Sequence, residues 1–178
     1  MKLLFDITHP AHAHLFKHSI RELQNRGHFV RLVARDKDLT LPLLRQLGFE
    51  FEILSSAKKG LVFEFLQHEK LLLRFCRAWR PDFMLSAVGA FMAPVGKLLG
   101  IRTVGLVDTE HATLQNFVSF PLLDWILTPS CFQKSLGPRQ VKHDSYHQLA
   151  HLHPNRFTPD PSVLEELNSV VTRLRIVL

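Results

Sequence analysis

Short apolar runs alternate along this chain with longer stretches whose apolar residues return every third or fourth position. The run over 2–7 is apolar, ends in a polar turn and predicts a buried strand. Over 13–26 the spacing of Leu15, Ile20 and Leu23 predicts a helix that closes at Gly27, a residue suited to the position just past a helix end. The same reading gives a strand at 28–34, a helix at 39–47 stopped by Gly48, and a strand at 49–54. A long helix over 61–79 is ended by Pro81, and a strand follows at 83–86. A helix over 90–99 runs into Gly100, and strands follow at 102–107 and 125–128. Strands alternating with helices predict βαβ units. The fold class is therefore α/β: a Rossmann-like, mainly parallel sheet with helices on both faces.

The tail breaks the rhythm. Residues 143–161 are polar, rich in Pro and His, and without a period, which predicts a linker. Residues 162–171 have the pattern of a short helix, and the chain closes on Ile176-Val177-Leu178, a strand-like run. The expected organisation is a Rossmann-like domain at 1–142, an interdomain linker at 143–161, and the truncated start of a C-terminal domain at 162–178.

Charge and composition narrow the picture. Of 178 residues 46% are hydrophobic and 21% charged, a globular balance, and the net charge is +6. The excess is concentrated at Lys58-Lys59 and over 70–80. It suits an anionic acceptor or a membrane face; no helix-turn-helix, zinc finger or stacking platform is visible, so nucleic acid is not expected. Along the long helix, Lys70, Arg74, Arg77 and Arg80 interleave with Phe65, Leu66, Leu72, Phe75 and Trp79. The plain reading is an amphipathic helix packed on the sheet; the functional one is peripheral docking on an anionic membrane. Two cysteines, Cys76 and Cys131, lack metal-type spacing, and Asp6 interrupts the N-terminal apolar run. The expectation is a cytoplasmic chain with free thiols.

In an open parallel sheet ligands bind beyond the carboxyl ends of the strands. Four such turns here hold the unusual residues. Thr8, His9, His12 and His14 follow the first strand, and Ser86 and Gly89 follow the fourth. Asp108, Glu110, His111, Gln115 and Asn116 follow the fifth, and Thr128-Pro129-Ser130 ends the sixth. The first turn has no glycine, and dinucleotide sites need a glycine-rich turn there so that backbone can approach pyrophosphate. No P-loop pattern is present either, so no cofactor is called for. The His12-x-His14 pair near Asp6 matches a ligand pair of metal-dependent hydrolases, which makes that the alternative function. His143, His147 and His151 share an i, i+4, i+8 spacing, read here as part of the solvated linker.

A resemblance then adds to these residues. Asp6-Ile7-Thr8-His9-Pro10, Arg26-Gly27-His28, Ala34-Arg35-Asp36-Lys37, Gly96-Lys97-Leu98-Leu99-Gly100-Ile101, Asp108-Thr109-Glu110-His111-Ala112, Gln115-Asn116 and Leu152-His153-Pro154 are similar, in this order, to a prokaryotic family catalogued as domain of unknown function 354. That family resembles the glycosyltransferase-B superfamily. Its relatives include the N-acetylglucosaminyltransferase that makes lipid II and the UDP-N-acetylglucosamine 2-epimerase. The transferase's Gly-Gly-His turn falls on Pro10-Ala11-His12 and its Arg-Gly-His on Arg26-Gly27-His28; Pro10 and Ala11 stand where it has glycines. Thr8-His9-Pro10 also resembles the epimerase's Thr-Arg-Pro, so transfer and epimerisation both stay open.

The resemblance implies the acceptor-side half of a two-domain enzyme, inactive alone, whose nucleotide-sugar donor is held by a missing C-terminal domain. The acceptor is expected to be anionic or lipid-linked. His12 is implied as the base, with Asp108, Glu110 and His111 tuning it or orienting the sugar. Thr8, His9, His14, Ser86, Gly89, Gln115 and Asn116 are the expected substrate contacts, with no metal. A non-catalytic ligand-binding domain is the third reading.

Overall fold

The computed structural model describes residues 1–56, 61–87, 89–110, 117, 119–160 and 162–163. The elements in order are β1 (Lys2–Ile7), α1 (Pro10–Asn25), β2 (Phe29–Asp36), α2 (Thr40–Gln46), β3 (Glu52–Ser56) and α3 (Leu61–Trp79). There follow β4 (Phe83–Ala87), α4 (Met92–Leu99), β5 (Arg102–Leu106), β6 (Trp125–Pro129), β7 (Gln140–His143) and α5 (Leu149–Leu152). The seven strands form one parallel sheet in the order β3-β2-β1-β4-β5-β6-β7. The order reverses between β1 and β4, and that switch point is where a crevice opens beyond the strand ends.

Alternation along the strands sorts the core into two layers. Leu3, Phe5 and Ile7 of β1 pack with Leu32 and Ala34 under α1 and α2. Leu4, Val33, Met84 and Ile126 pack on the other face with Leu72 and Phe75 of α3 and Met92 and Val95 of α4. α4 approaches β5 closely because Gly96 has no side chain; a Cβ there would lie 2.2 Å from Thr103 Cγ2. Gly100 then ends α4 in the left-handed region, at φ 66°.

The sheet agrees with the expected class, and the differences are local. α1 starts at Pro10, not at 13, because proline's missing N–H costs nothing in a first turn. His9 caps that turn, its Nδ1 accepting the Ala11 N–H at 3.2 Å. β3 begins at Glu52 because Phe49 first closes α2: its N–H donates to Leu44 O at 3.0 Å and its ring sinks into the α1–α2 layer.

β7 has no counterpart in the expected elements. It is an edge strand in which only Val141 is apolar, so it carries no hydrophobic signal. Polar side chains hold it: Gln140 Nε2 donates to Thr128 Oγ1 at 3.0 Å and Lys142 Nζ to Phe132 O at 2.7 Å. The expected linker therefore begins on the last residue of β7. The solvated reading of its histidines is corrected as well: His147 is buried and α5 packs on α1, because stacked imidazoles supply contacts that apolar spacing does not reveal. The stretch 164–178, where a second domain was expected to begin, lies outside the described residues, apart from which only 162–163 of its predicted helix are described.

Candidate functional site

Beyond the end of β1, Thr8 and the first turn of α1 build the centre of the site. The Thr8 N–H points at His12 Nδ1 from 3.4 Å, and Thr8 Oγ1 lies 3.3 Å from the same nitrogen. His12 sits on the third residue of α1, so its ring folds back over the turn that feeds the helix. Burial is the main force on its charge and pushes its pKa down to about 4. Asp6 pulls upward, His9 pushes further down, Asp108 pulls upward and Lys37 pushes down. The imidazole is therefore neutral at pH 7. Thr8 offers both a donor N–H and a hydroxyl that can accept, so either neutral tautomer of His12 finds a partner.

Asp108, past the end of β5, joins this field. Its carboxyl is held below the ordinary range, first by a hydrogen bond from His147 and against the opposing effect of burial. The His147 Nδ1 to Asp108 Oδ2 distance is 3.5 Å, and the Thr109 hydroxyl donates to Asp108 Oδ1 at 3.1 Å. His147 stacks on His143 with ring centroids 5.6 Å apart. His147 is thus a site neighbour that the sequence reading left in a linker. Its i, i+4 spacing from His143 and His151 was the available signal.

The other predicted residues separate. His9 caps α1 and its Nε2 lies 3.9 Å from Asp38 Oδ2. His14 does not join His12: its ring stacks on His151 at 5.3 Å, away from the Thr8 turn. Among the described residues no three His, Cys, Asp or Glu side chains are grouped to hold a metal ion. Ser86 is buried and donates to Asp6 O at 3.0 Å, tying β4 to β1. Gly89, at φ 80°, packs under Leu123 and accepts the N–H of Ala93 at 2.9 Å, opening α4. Glu110 spends its carboxylate on the loop after β6, where Oε1 accepts the Gln133 N–H at 2.6 Å. His111, Gln115 and Asn116 lie outside the described residues.

The sequence profile of DUF354, described as a protein of unknown function, matches residues 1–175. The chain belongs to that family. No curated protein matches it in sequence. Among solved structures it is similar to MurG of Acinetobacter baumannii, with a TM-score of 0.64 and 15% identity over 79% of this chain and 45% of that one. It is similar to the UDP-GlcNAc 2-epimerase of Neisseria meningitidis bound to UDP-GlcNAc, with a TM-score of 0.61 and 13% identity over 72% of this chain and 40% of that one. The spinosyn rhamnosyltransferase SpnG gives a TM-score of 0.61 and 20% identity over 80% of this chain and 49% of that one. The DUF354 chain has the Rossmann-like fold found in the N-terminal part of these glycosyltransferase-B structures, and it spans less than half the length of each. No helix among its described residues is long and apolar enough to cross a membrane.

Proposed function

We propose that this DUF354 chain is the acceptor-side part of a nucleotide-sugar enzyme of the glycosyltransferase-B type. The observation that carries the reading is His12: a neutral imidazole at the strand switch point, backed by Thr8 and within the field of Asp108. The acceptor's hydroxyl proton passes to His12 Nε2 as its oxygen bonds to the anomeric carbon. The bond from that carbon to the nucleotide's phosphate oxygen breaks in the same step. For Nε2 to accept, the ring carries its other proton on Nδ1 and donates it to Thr8 Oγ1, a tautomer that gives up the Thr8 N–H to Nδ1 contact. Asp108 favours the imidazolium that results. A positioned base of this kind contributes about 10²–10⁴-fold.

The chain covers less than half of each of these structures, which supports a donor held mainly by a second part, and the isolated 178 residues are expected not to turn over. An anionic or lipid-linked acceptor fits the basic stretch of α3, where Leu66 is exposed and Lys70 and Arg74 follow it. Peripheral contact with an anionic membrane is part of the same reading.

The test uses a longer DUF354 protein that includes the donor-binding part. His12→Ala should lower sugar transfer by roughly 10²–10⁴-fold with little change in melting temperature. Wild-type turnover in that variant rejects the assignment. Following the sugar's C2 configuration with acceptor omitted separates transfer from epimerisation.

A further inference from the structure

α5 packs on α1, and histidines meet in the contact. His14 of α1 stacks on His151 of α5, with ring centroids 5.3 Å and planes 30° apart. His18 lies one helical turn further along α1. All three residues are half-buried. His14 Nδ1, His18 Nε2 and His151 Nδ1 are sealed from solvent and have no hydrogen-bond partner among the described residues. A neutral imidazole can place a bare lone pair at such a nitrogen. An imidazolium carries an N–H at both nitrogens, so each proton gained forces a charged donor into a place with no acceptor.

The surroundings offer no compensation. Burial first, and then neighbouring cations, disfavour a proton on each ring: Lys17 at His14, Lys17, Arg156, Arg21 and His151 at His18, and His14 and Lys17 at His151. The one carboxylate of α1, Glu22, is held by Arg26 at 2.8 Å. Residues 145–156 contain no carboxylate, and Asp144 accepts the Ser130 hydroxyl at 3.2 Å. Arg156 Nη1 donates to Ala150 O at 3.1 Å, which keeps a positive charge beside α5. His153 is exposed, its Nδ1 accepting the Asn155 N–H at 3.2 Å. The near end of the segment has the opposite sign. His147 Nδ1 faces the Asp108 carboxylate at 3.5 Å, so a proton on His147 strengthens that contact. Burial and then His147 disfavour one on the stacked His143.

We propose that the α1–α5 contact is an acid-released latch: protonation of His14, His18 and His151 frees residues 149–156 from α1, while His147 stays anchored on Asp108. Three like charges then face one another and Lys17 across a contact that only neutral rings can close. The freed stretch belongs to the segment read from sequence as an interdomain linker. The latch would set how tightly that segment is tied to the sheet, and it stands whether or not the transferase reading does.

The test follows backbone ¹⁵N relaxation of the 178-residue chain from pH 7.5 to 5.0, a range above the value of about 4 to which His12 is pushed. Order parameters at 149–152 should fall from about 0.85 to below about 0.6, those of α1 and the strands staying near 0.85. The midpoint should lie below 6.5 and coincide with the imidazole ¹⁵N titrations of His14 and His151. The triple variant His14→Phe/His18→Gln/His151→Phe keeps a stacked pair of rings and takes no proton at the three positions, so 149–152 should stay ordered at pH 5.0. Asp108→Asn should extend the mobile stretch to 146–148 at that pH. An ordered wild-type segment at pH 5.0, equal release in the triple variant, or loosening that appears only as the strands melt overturns the latch. Unchanged order at 146–148 in Asp108→Asn overturns the anchor. Where the triple variant does not fold, the wild-type midpoints decide: amide and imidazole transitions that do not coincide overturn the proposal.

Discussion

His68 Nε2 lies 3.2 Å from Asp6 Oδ1, and both side chains are sealed from solvent. The contact is off-axis for a hydrogen bond, and among the described residues neither the Asp6 carboxylate oxygens nor His68 Nε2 has another partner. On its other side His68 meets the Ser55 hydroxyl at 2.8 Å. β3, α3 and β1 are therefore linked by a polar chain directly beneath the turn that carries Thr8 and His12. Changing one of two facing buried polar groups so that the other is left unmatched costs about 1–3 kcal/mol. Asp6→Asn should lower unfolding free energy by roughly 1–3 kcal/mol, read by urea denaturation. A loss under about 1 kcal/mol would show that the pair contributes little.

Arg35 and Glu64 make a second cross-link, between β2 and α3. The guanidinium donates through both Nε and Nη2, the latter at 2.7 Å, to a carboxylate that is 2% exposed. Glu64→Gln leaves Arg35 charged with a weakened fork, and a loss of about 3 kcal/mol is expected. The double variant Arg35→Leu/Glu64→Leu should recover part of that loss, since apolar replacement of both partners removes the unpaired charge. Thermal unfolding of the single and double variants measures the difference.

Gly96 makes a sharper steric prediction. An added Cβ would meet Thr103 Cγ2 at 2.2 Å, and Thr103 cannot rotate freely because its hydroxyl donates to Asp124 Oδ2 at 3.1 Å. Gly96→Ala should destabilise by about 1–3 kcal/mol through overpacking. Thr103→Ser deletes the clashing methyl while keeping the hydroxyl. Gly96→Ala with Thr103→Ser should therefore be more stable than the sum of the two single effects. Simple additivity would contradict the clash.

His12 ties stability to acid. Its folded pKa is lowered from 6.5 to about 4, so between those values the unfolded chain binds a proton that the folded chain refuses. The contribution is present in full above pH 6.5 and is lost as pH falls toward 4. Burial pushes His14, His18, His143 and His151 in the same direction. Melting temperature should fall steadily from pH 7 to pH 4, and His12→Gln should make the slope shallower without abolishing it. An unchanged slope in that variant would remove His12 from the account.

The sheet was legible because strands such as 2–7 are buried runs, and both that strand and the amphipathic helix at 61–79 were bounded in sequence as the structure bounds them. β7 was not, since an exposed edge strand stabilised by Gln140 and Lys142 leaves no hydrophobic mark. In the site, the position of His12 beside Thr8 followed from its place at a strand–helix turn. What sequence could not give was direction. Glu110, Ser86 and His14 sit where ligands gather, yet turn their polar atoms to Gln133, to Asp6 and toward His151. His147 came into the site from a segment with no apolar period, brought there by ring stacking and by the Asp108 carboxylate.

The modest β7 has a further consequence. A sheet's last strand presents unpaired N–H and C=O groups that can template a neighbouring chain. This border is four residues long, carries Lys142 and offers only Val141 as an apolar contact. Such a margin is a poor surface for strand addition, and the same polar residues that hid it in the sequence protect the protein against edge-to-edge aggregation there.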